Sequence, residues 1–210
     1  MRLLRPETTV LTIPEYQHLG KKAYEETYEQ MKSLIQADEI NDQIWLLEHE
    51  PVFTLGTAAS PEHVLAPKDI PVIQTDRGGE VTYHGPGQLV IYFLLDIKGR
   101  KIGPKSLVAD LQQLIQTILS RFNIESAFVE GAPGVYVGEK KIASIGLRIS
   151  KGRSYHGISL NVKMDLEPFT RINPCGYEGL EVTQISHFDS NVTMDKVESV
   201  ATEELQKLFK

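Results

Sequence analysis

Hydrophobic and polar positions repeat with two different periods along this chain, and the changes of period mark its elements. Tyr16, Leu19, Ala23, Met31 and Leu34 fall on one face at helical spacing. Ahead of them, Thr12-Ile13-Pro14-Glu15 places a carboxylate three residues after a hydroxyl, the pattern of a helix-capping box. The spacing predicts a long amphipathic helix from about Pro14 to Gln36. Leu107, Leu111, Leu114, Ile115, Ile118 and Phe122 predict a second, from about Pro104 to Phe122. Val197, Val200, Ala201, Leu205 and Leu208 predict a third that starts near Thr193 and turns these five residues inward.

Between the helices the apolar residues come in short runs. Ile44 to Glu48, Pro51 to Gly56, Pro71 to Gln74 and Leu89 to Leu95 read as strands, the last a central one by its length and aromatic content. Residues 57–71 read as a loop, and the glycines and Pro86 between Gly78 and Gly87 mark an irregular stretch. Gly134 to Val137, Lys141 to Ile149 and Ser154 to Val162 read as three further strands, with turns at Gly138-Glu139 and Gly152-Arg153. Turns this short demand antiparallel pairing. The expected class is therefore α/β of the α+β type: a mixed or antiparallel sheet flanked by helices, within one domain spanning residues 1–210. No internal repeat or linker interrupts it.

Composition narrows the function. The chain is 41% hydrophobic and 24% charged, the balance of a globular protein. Its formal charge of -6 lacks the surplus of Lys and Arg that phosphate neutralisation requires, so no nucleic-acid partner is expected. The longest strongly apolar run, Leu89 to Leu95, is far short of the roughly 20 residues of a membrane span. A single cysteine rules out an intramolecular disulfide, and no signal-peptide stretch follows the N-terminus. A cytoplasmic protein without a membrane partner is expected.

Four segments carry candidate chemistry. Arg77 to Gln88 is rich in Gly and Pro; its amides can converge on a polarised oxygen, with Arg77 and His84 as further donors. A tight surface turn would look the same. In Asn173-Pro174-Cys175-Gly176, Pro174 fixes the backbone before the thiol and Gly176 frees it afterwards, which suits a nucleophile whose product is an oxyanion. A lone cysteine is also, commonly, a small buried hydrophobe. Lys140 and Lys141 precede an apolar strand, where either could be held in a cleft, since partial burial favours the neutral amine. In Ser154 to Asn161, Gly157 within a strand points to close approach of a ligand or of a neighbouring backbone. His156 beside it is either a base or a tied core histidine. The histidines are scattered and no C-x-x-C occurs, so no metal and no other cofactor is expected.

Taken together, RGGEVTYHGPGQ at 77–88, GVYVGEKKIASIGLRI at 134–149, SYHGISLNV at 154–162 and FTRINPCGYEGLEVTQI at 169–185 resemble the octanoyltransferases of lipoate biosynthesis, the lipoate-protein ligase B family. The resemblance spans most of the chain from residue 44 onward. It implies the biotin/lipoate protein ligase-like fold and a Cys/Lys dyad, with Cys175 as nucleophile and Lys141, rather than Lys140, as its partner. It implies substrate contacts from Arg77, Gly78, Gly79, Glu80, Val81, Thr82, Tyr83 and His84, from Ser144, Ile145 and Gly146, and from Gly157, Ile158 and Ser159. The implied donor is octanoyl-acyl carrier protein. The implied acceptors are lipoyl domains of 2-oxoacid dehydrogenase complexes and the glycine cleavage H protein. Lys98, Arg100, Lys101 and Lys105, with Lys151 and Arg153, are expected to offer an acidic carrier a basic rim. The competing readings are an ATP-dependent lipoate or biotin ligase on the same fold, a non-catalytic carrier-binding protein and a Cys/His thioesterase.

Overall fold

The computed structural model describes residues 13–37, 41–129, 132–173 and 179–210. Its first element departs from the periodicity. Glu15–Lys22 is a strand, β1, and only Tyr24–Gln36 forms the helix, α1. β1 pairs in parallel with β2 (Gln43–His49), and the register slips between His18 and Gly20. Gly20 adopts φ +65°, a left-handed value that glycine takes without a Cβ penalty. The slip breaks strict alternation and lets the strand imitate helical spacing. Thr12 of the supposed capping box lies outside the described residues.

β3 (Val52–Leu55), β4 (Val72–Gln74) and β5 (Val81–His84) make a three-stranded sheet in the order β4-β3-β5. β5 is a correction, since it lies within the stretch expected to be irregular. It pairs antiparallel with β3, and β3 runs parallel to β4. The seven-stranded sheet is completed by β6 (Gln88–Leu94), β7 (Ala127–Val129), β8 (Ala132–Val137), β9 (Lys140–Ser150) and β10 (Arg153–Asn161). Its order is β1-β2-β6-β10-β9-β8-β7, antiparallel except between β1 and β2. The β9–β10 turn falls at Lys151-Gly152, one residue earlier than expected.

The large sheet is covered on both faces. Leu89, Ile91 and Phe93 of β6 point into a core shared with α2 (Pro104–Ser120) and α3 (Met194–Leu208). Val90, Tyr92 and Leu94 point the other way, against Met31 and Ile35 of α1. This explains why β6 is buried along its whole length and reads as an unbroken apolar run. A third core packs Phe53, Leu55, Val81 and Tyr83 of the small sheet against Phe169 and Ile172. α3 starts where expected: Thr193 caps it, its hydroxyl accepting from the Lys196 amide. Its last turn buries Phe209 and leaves Leu208 exposed, opposite to the expectation for Leu208. Among the described residues no helix is long and apolar enough to cross a membrane.

Candidate functional site

The two sheets enclose a cavity of about 270 Å³, and the sequence of β9 and β10 explains why it is there. On the face turned toward α1 and the small sheet, β6 carries Val90 and Tyr92. Opposite them on β10 stand Ser159 and Gly157, and opposite those on β9 stand Ser144 and Gly146. In this two-by-two block of small residues the two serines leave volume that larger side chains would fill, while the two glycines admit the close approach of neighbouring backbone. Ile145 and Ile158 border the same space while their side chains belong to the core under α2 and α3.

The Gly-rich segment is the roof, and Arg77 holds it closed. The Arg77 guanidinium donates from Nη2 to Thr54 O (2.7 Å), Thr54 Oγ1 (2.9 Å) and Glu80 O (2.7 Å), and from Nη1 to Gly78 O (3.0 Å). The Gly78 amide donates to Leu147 O at 2.9 Å, which pins the roof to β9. Gly146 allows this, because a Cβ there would press on Gly78 O and Arg77 Cδ. The Gly78 amide and the Arg77 guanidinium therefore also hold the roof together.

Of the residues implied by the resemblance, Arg77, Gly79, Glu80, Val81, Thr82, His84, Lys141, Ser144, Ile145, Gly146, Gly157, Ile158 and Ser159 line the cavity. Gly78 and Tyr83 do not. Gly78 is spent on β9, and the Tyr83 ring packs on Phe53 and, edge-on, on Phe169 in the third core. Gly157 answers to backbone packing: a Cβ would run into Ile91 O of β6. Cys175, together with Pro174 and Gly176, lies outside the described residues.

Lys141 stands at the β9 edge of the cavity and is only 3% exposed. Its amide donates to Glu181 O at 2.9 Å, and its carbonyl accepts from the Thr183 amide at 2.9 Å. Its Nζ lies 5.6 Å from the centre of the Tyr136 ring. A Cβ at Gly134 would collide with the Lys141 stem, so the absent side chain makes room for the lysine. Lys140, the alternative in sequence, points outward to an exposed ion pair with Glu181 at 2.7 Å.

Three histidines surround the cavity or stand just behind it, and burial holds each below its ordinary range. His49 is lowered to about 4; its Nδ1 lies 3.0 Å from Lys22 O and its Nε2 2.7 Å from the Tyr92 hydroxyl. His84 is lowered to about 3 by burial and by neighbouring His49, and its Nδ1 meets Gln88 Oε1 at 2.7 Å. Gln88 donates its own amide to Tyr83 O and Asn161 Oδ1, so His84 Nδ1 carries the proton. His156 is also lowered by burial, although Asp76 at 3.1 Å opposes the shift. It sits at φ +59°, a costly conformation for a residue with a side chain. Asp76 also accepts from the Tyr155 and Tyr28 hydroxyls. These hydrogen bonds outweigh its partial burial and hold its carboxyl well below the usual range.

The sequence missed Tyr24, Val90 and Tyr92 as cavity residues. The last two were readable in principle, because alternation along Leu89 to Leu95 separates two faces. The basic rim is smaller than expected. Arg100 is ion-paired with Asp42 and mostly buried, and Arg153 donates to Ile35 O and Ala37 O at the end of α1. Lys98, Lys101, Lys105 and Lys151 are exposed. No three His, Cys, Asp or Glu side chains gather as a metal site among the described residues.

Residues 23–206 match the lipoyl protein ligase A/B catalytic domain. The chain is 54% identical over 182 residues to an octanoyltransferase of Legionella pneumophila (strain Corby), covering 86% of this chain and 92% of that relative. It is 52% identical over 193 residues to an octanoyltransferase of Vibrio atlanticus (strain LGP32), covering 91% and 88%. Among solved structures it is similar to a lipoate-protein ligase A bound with ATP, with a TM-score of 0.76 at 14% identity over 94% of this chain and 85% of that one. A biotin protein ligase from Aquifex aeolicus gives a TM-score of 0.55 at 14% identity, covering 94% and 70%. At such identities the likeness concerns the fold, which is the biotin/lipoate ligase-like one expected from the sequence.

Proposed function

The chain belongs to the lipoyl protein ligase A/B catalytic-domain family, and on that premise we propose that it is an octanoyltransferase working through a thioester on Cys175. The donor is octanoyl-acyl carrier protein and the acceptor is the target lysine of a lipoyl domain. The observation that carries this reading is the placement of Lys141. It is buried in the cavity wall, and hydrogen bonds on both sides of it tie it to Glu181 and Thr183, just downstream of the Pro-Cys-Gly segment. The names of the close relatives supply the acyl group.

A free thiol is only a few per cent ionised at neutral pH, so it needs a neighbour that accepts its proton or stabilises its anion. Lys141 is that neighbour. The Cys175 thiolate attacks the thioester carbonyl, the tetrahedral oxyanion collapses, and the carrier's thiol leaves with a proton from Lys141. The exchange replaces one thioester by another and needs no ATP. The acceptor lysine, as a free amine, then attacks the acyl-enzyme. Its extra proton passes to Lys141, the amide forms, and the Cys175 thiolate is released. Val90 and the rings of Tyr24 and Tyr92 give the acyl chain an apolar lining. Each buried methylene contributes about 0.8 kcal/mol. The three histidines stay uncharged around it.

Intact-mass spectrometry tests the reading. Mixing with octanoyl-acyl carrier protein should add one octanoyl group that hydroxylamine removes. The adduct should be absent in Cys175→Ala, slow to form in Lys141→Ala, and lost when an unmodified lipoyl domain is added. Octanoylation of the lipoyl domain that required ATP and free octanoate, with no acyl-enzyme, would overturn it.

A further inference from the structure

The cavity has a definite inner wall, and its composition bears on which acyl chains it admits. Lys141 stands on β9. Two strands across the sheet, on the β6 side, the space is closed by Tyr24, His84 and Tyr92. Adjacent strands lie about 4.8 Å apart, so β9 and β6 are roughly 10 Å apart, and because Ala143 is level with Leu89 while Gly146 is level with Tyr92, the slot runs obliquely along the strands from Lys141.

This wall is rigid. Tyr24 opens α1 and is 4% exposed. Its ring stacks on His84 with centroids 6.0 Å apart and planes within 9° of parallel, and it lies 5.0 Å from the His49 ring. His84 is fixed by Gln88, and the Tyr92 hydroxyl by His49. The rings of Tyr24, His49, His84 and Tyr92 thus pack on one another as one cluster. The wall is also polar here: the Tyr24 hydroxyl is buried, with Thr75 as its hydrogen-bonding neighbour. A methylene pushed against it would gain little from burial and would leave the hydroxyl sealed from water.

We propose that Tyr24 is the residue that ends the acyl slot and so sets the chain length this enzyme transfers. The inference rests on the reading of the cavity as an acyl slot entered from the Lys141 side. The Tyr24 ring stops the chain physically, and its hydroxyl makes further extension unfavourable. Truncating the ring opens the space toward His49 and Tyr28, which pack against its other sides.

The test is the initial rate of acyl-enzyme formation with hexanoyl-, octanoyl-, decanoyl- and dodecanoyl-acyl carrier protein, read by intact mass. The wild-type rate should fall beyond octanoyl. Tyr24→Ala should raise the decanoyl-to-octanoyl rate ratio about tenfold, the value of two newly buried methylenes. Alanine is the strongest helix former, so the start of α1 tolerates it. Tyr24→Leu is the second variant should the alanine protein not fold, with the same direction expected. Tyr24→Phe keeps the ring and should keep the cut-off. An unchanged ratio in a Tyr24→Ala or Tyr24→Leu enzyme that still takes octanoyl overturns the inference and leaves the transferase reading intact. A wild-type enzyme that no thioester acylates removes the transferase reading itself.

Discussion

Glycine in two different roles separates what the residue scale shows from what the sequence implied. Gly157 is required by packing. Its Cβ would occupy the place of Ile91 O, the backbone of the strand with which it pairs. Gly157→Ala must therefore push β6 and β10 apart in the middle of the sheet. A loss of stability of about 1–3 kcal/mol or more is expected, read as a lower urea midpoint. A midpoint equal to wild type would mean that β6 gives way more easily than its burial suggests. Gly134 adds a second role: a Cβ there would meet Ala143 O of the neighbouring strand and also the Lys141 side chain, so its absence makes room for the lysine. Arg77 was legible as important, and the structure adds a role that its sequence context does not announce: it fastens the roof to Thr54 and Glu80. Lysine cannot reproduce that planar fork. Arg77→Lys is expected to cost about 1.5–3 kcal/mol of stability and to raise KM for the acyl donor as the roof loosens. A KM unchanged within twofold would detach the roof from substrate binding.

At the scale of elements, the sequence carried the strands with two covered faces and the helices with one. β6, α2 and α3 are read correctly because uninterrupted burial and 3.6-residue spacing are strong, local signals. β1 is misread because, among the described residues, it is an edge strand with one neighbour and a mostly exposed surface. The slip at Gly20 also removes the alternation that would have identified it. β5 is missed because glycines surround it, although Val81 and Tyr83 alternate with Thr82 in the strand pattern. The start of α3 near Thr193 was legible, and the cap found there is local chemistry. Thr193→Ala removes the hydroxyl that accepts from the Lys196 amide, and a loss of about 1 kcal/mol is expected in chemical denaturation. Thr193→Asp should restore it, since aspartate caps as well and favours the positive end of the helix dipole. If both variants unfold alike, the cap bond contributes nothing.

For the whole molecule, the site depends on a register that no local pattern announces. Ser144 and Gly146 face Ser159 and Gly157 only because β9 and β10 pair in one register, and the roof meets Gly146 only because two sheets stack. The space between those sheets also holds His49 and His84, which sets the response of stability to pH. Both are uncharged in the fold, lowered by burial to about 4 and about 3 from an ordinary 6.5. In the unfolded chain they take up protons as pH drops through about 6.5. Between 6.5 and the folded values the unfolded state binds more protons, so stability is full above 6.5 and lost on acidification. Each histidine contributes a slope of about 1.4 kcal/mol per pH unit, which levels off near 4 for His49 and near 3 for His84. Burial lowers His156 too, so it adds loss in the same direction. The held-down carboxyl of Asp76 adds its own loss only once pH falls below the ordinary carboxylate range. Urea midpoints measured from pH 8 to pH 5 should therefore be flat above pH 7 and fall steeply below 6. In His49→Gln the fall should be shallower by about one histidine's slope, because glutamine keeps a donor for Lys22 O without a titrating group. An equal slope in that variant would mean that His49 is already protonated in the fold, and the uncharged wall beside Tyr92 and Tyr24 would have to be abandoned.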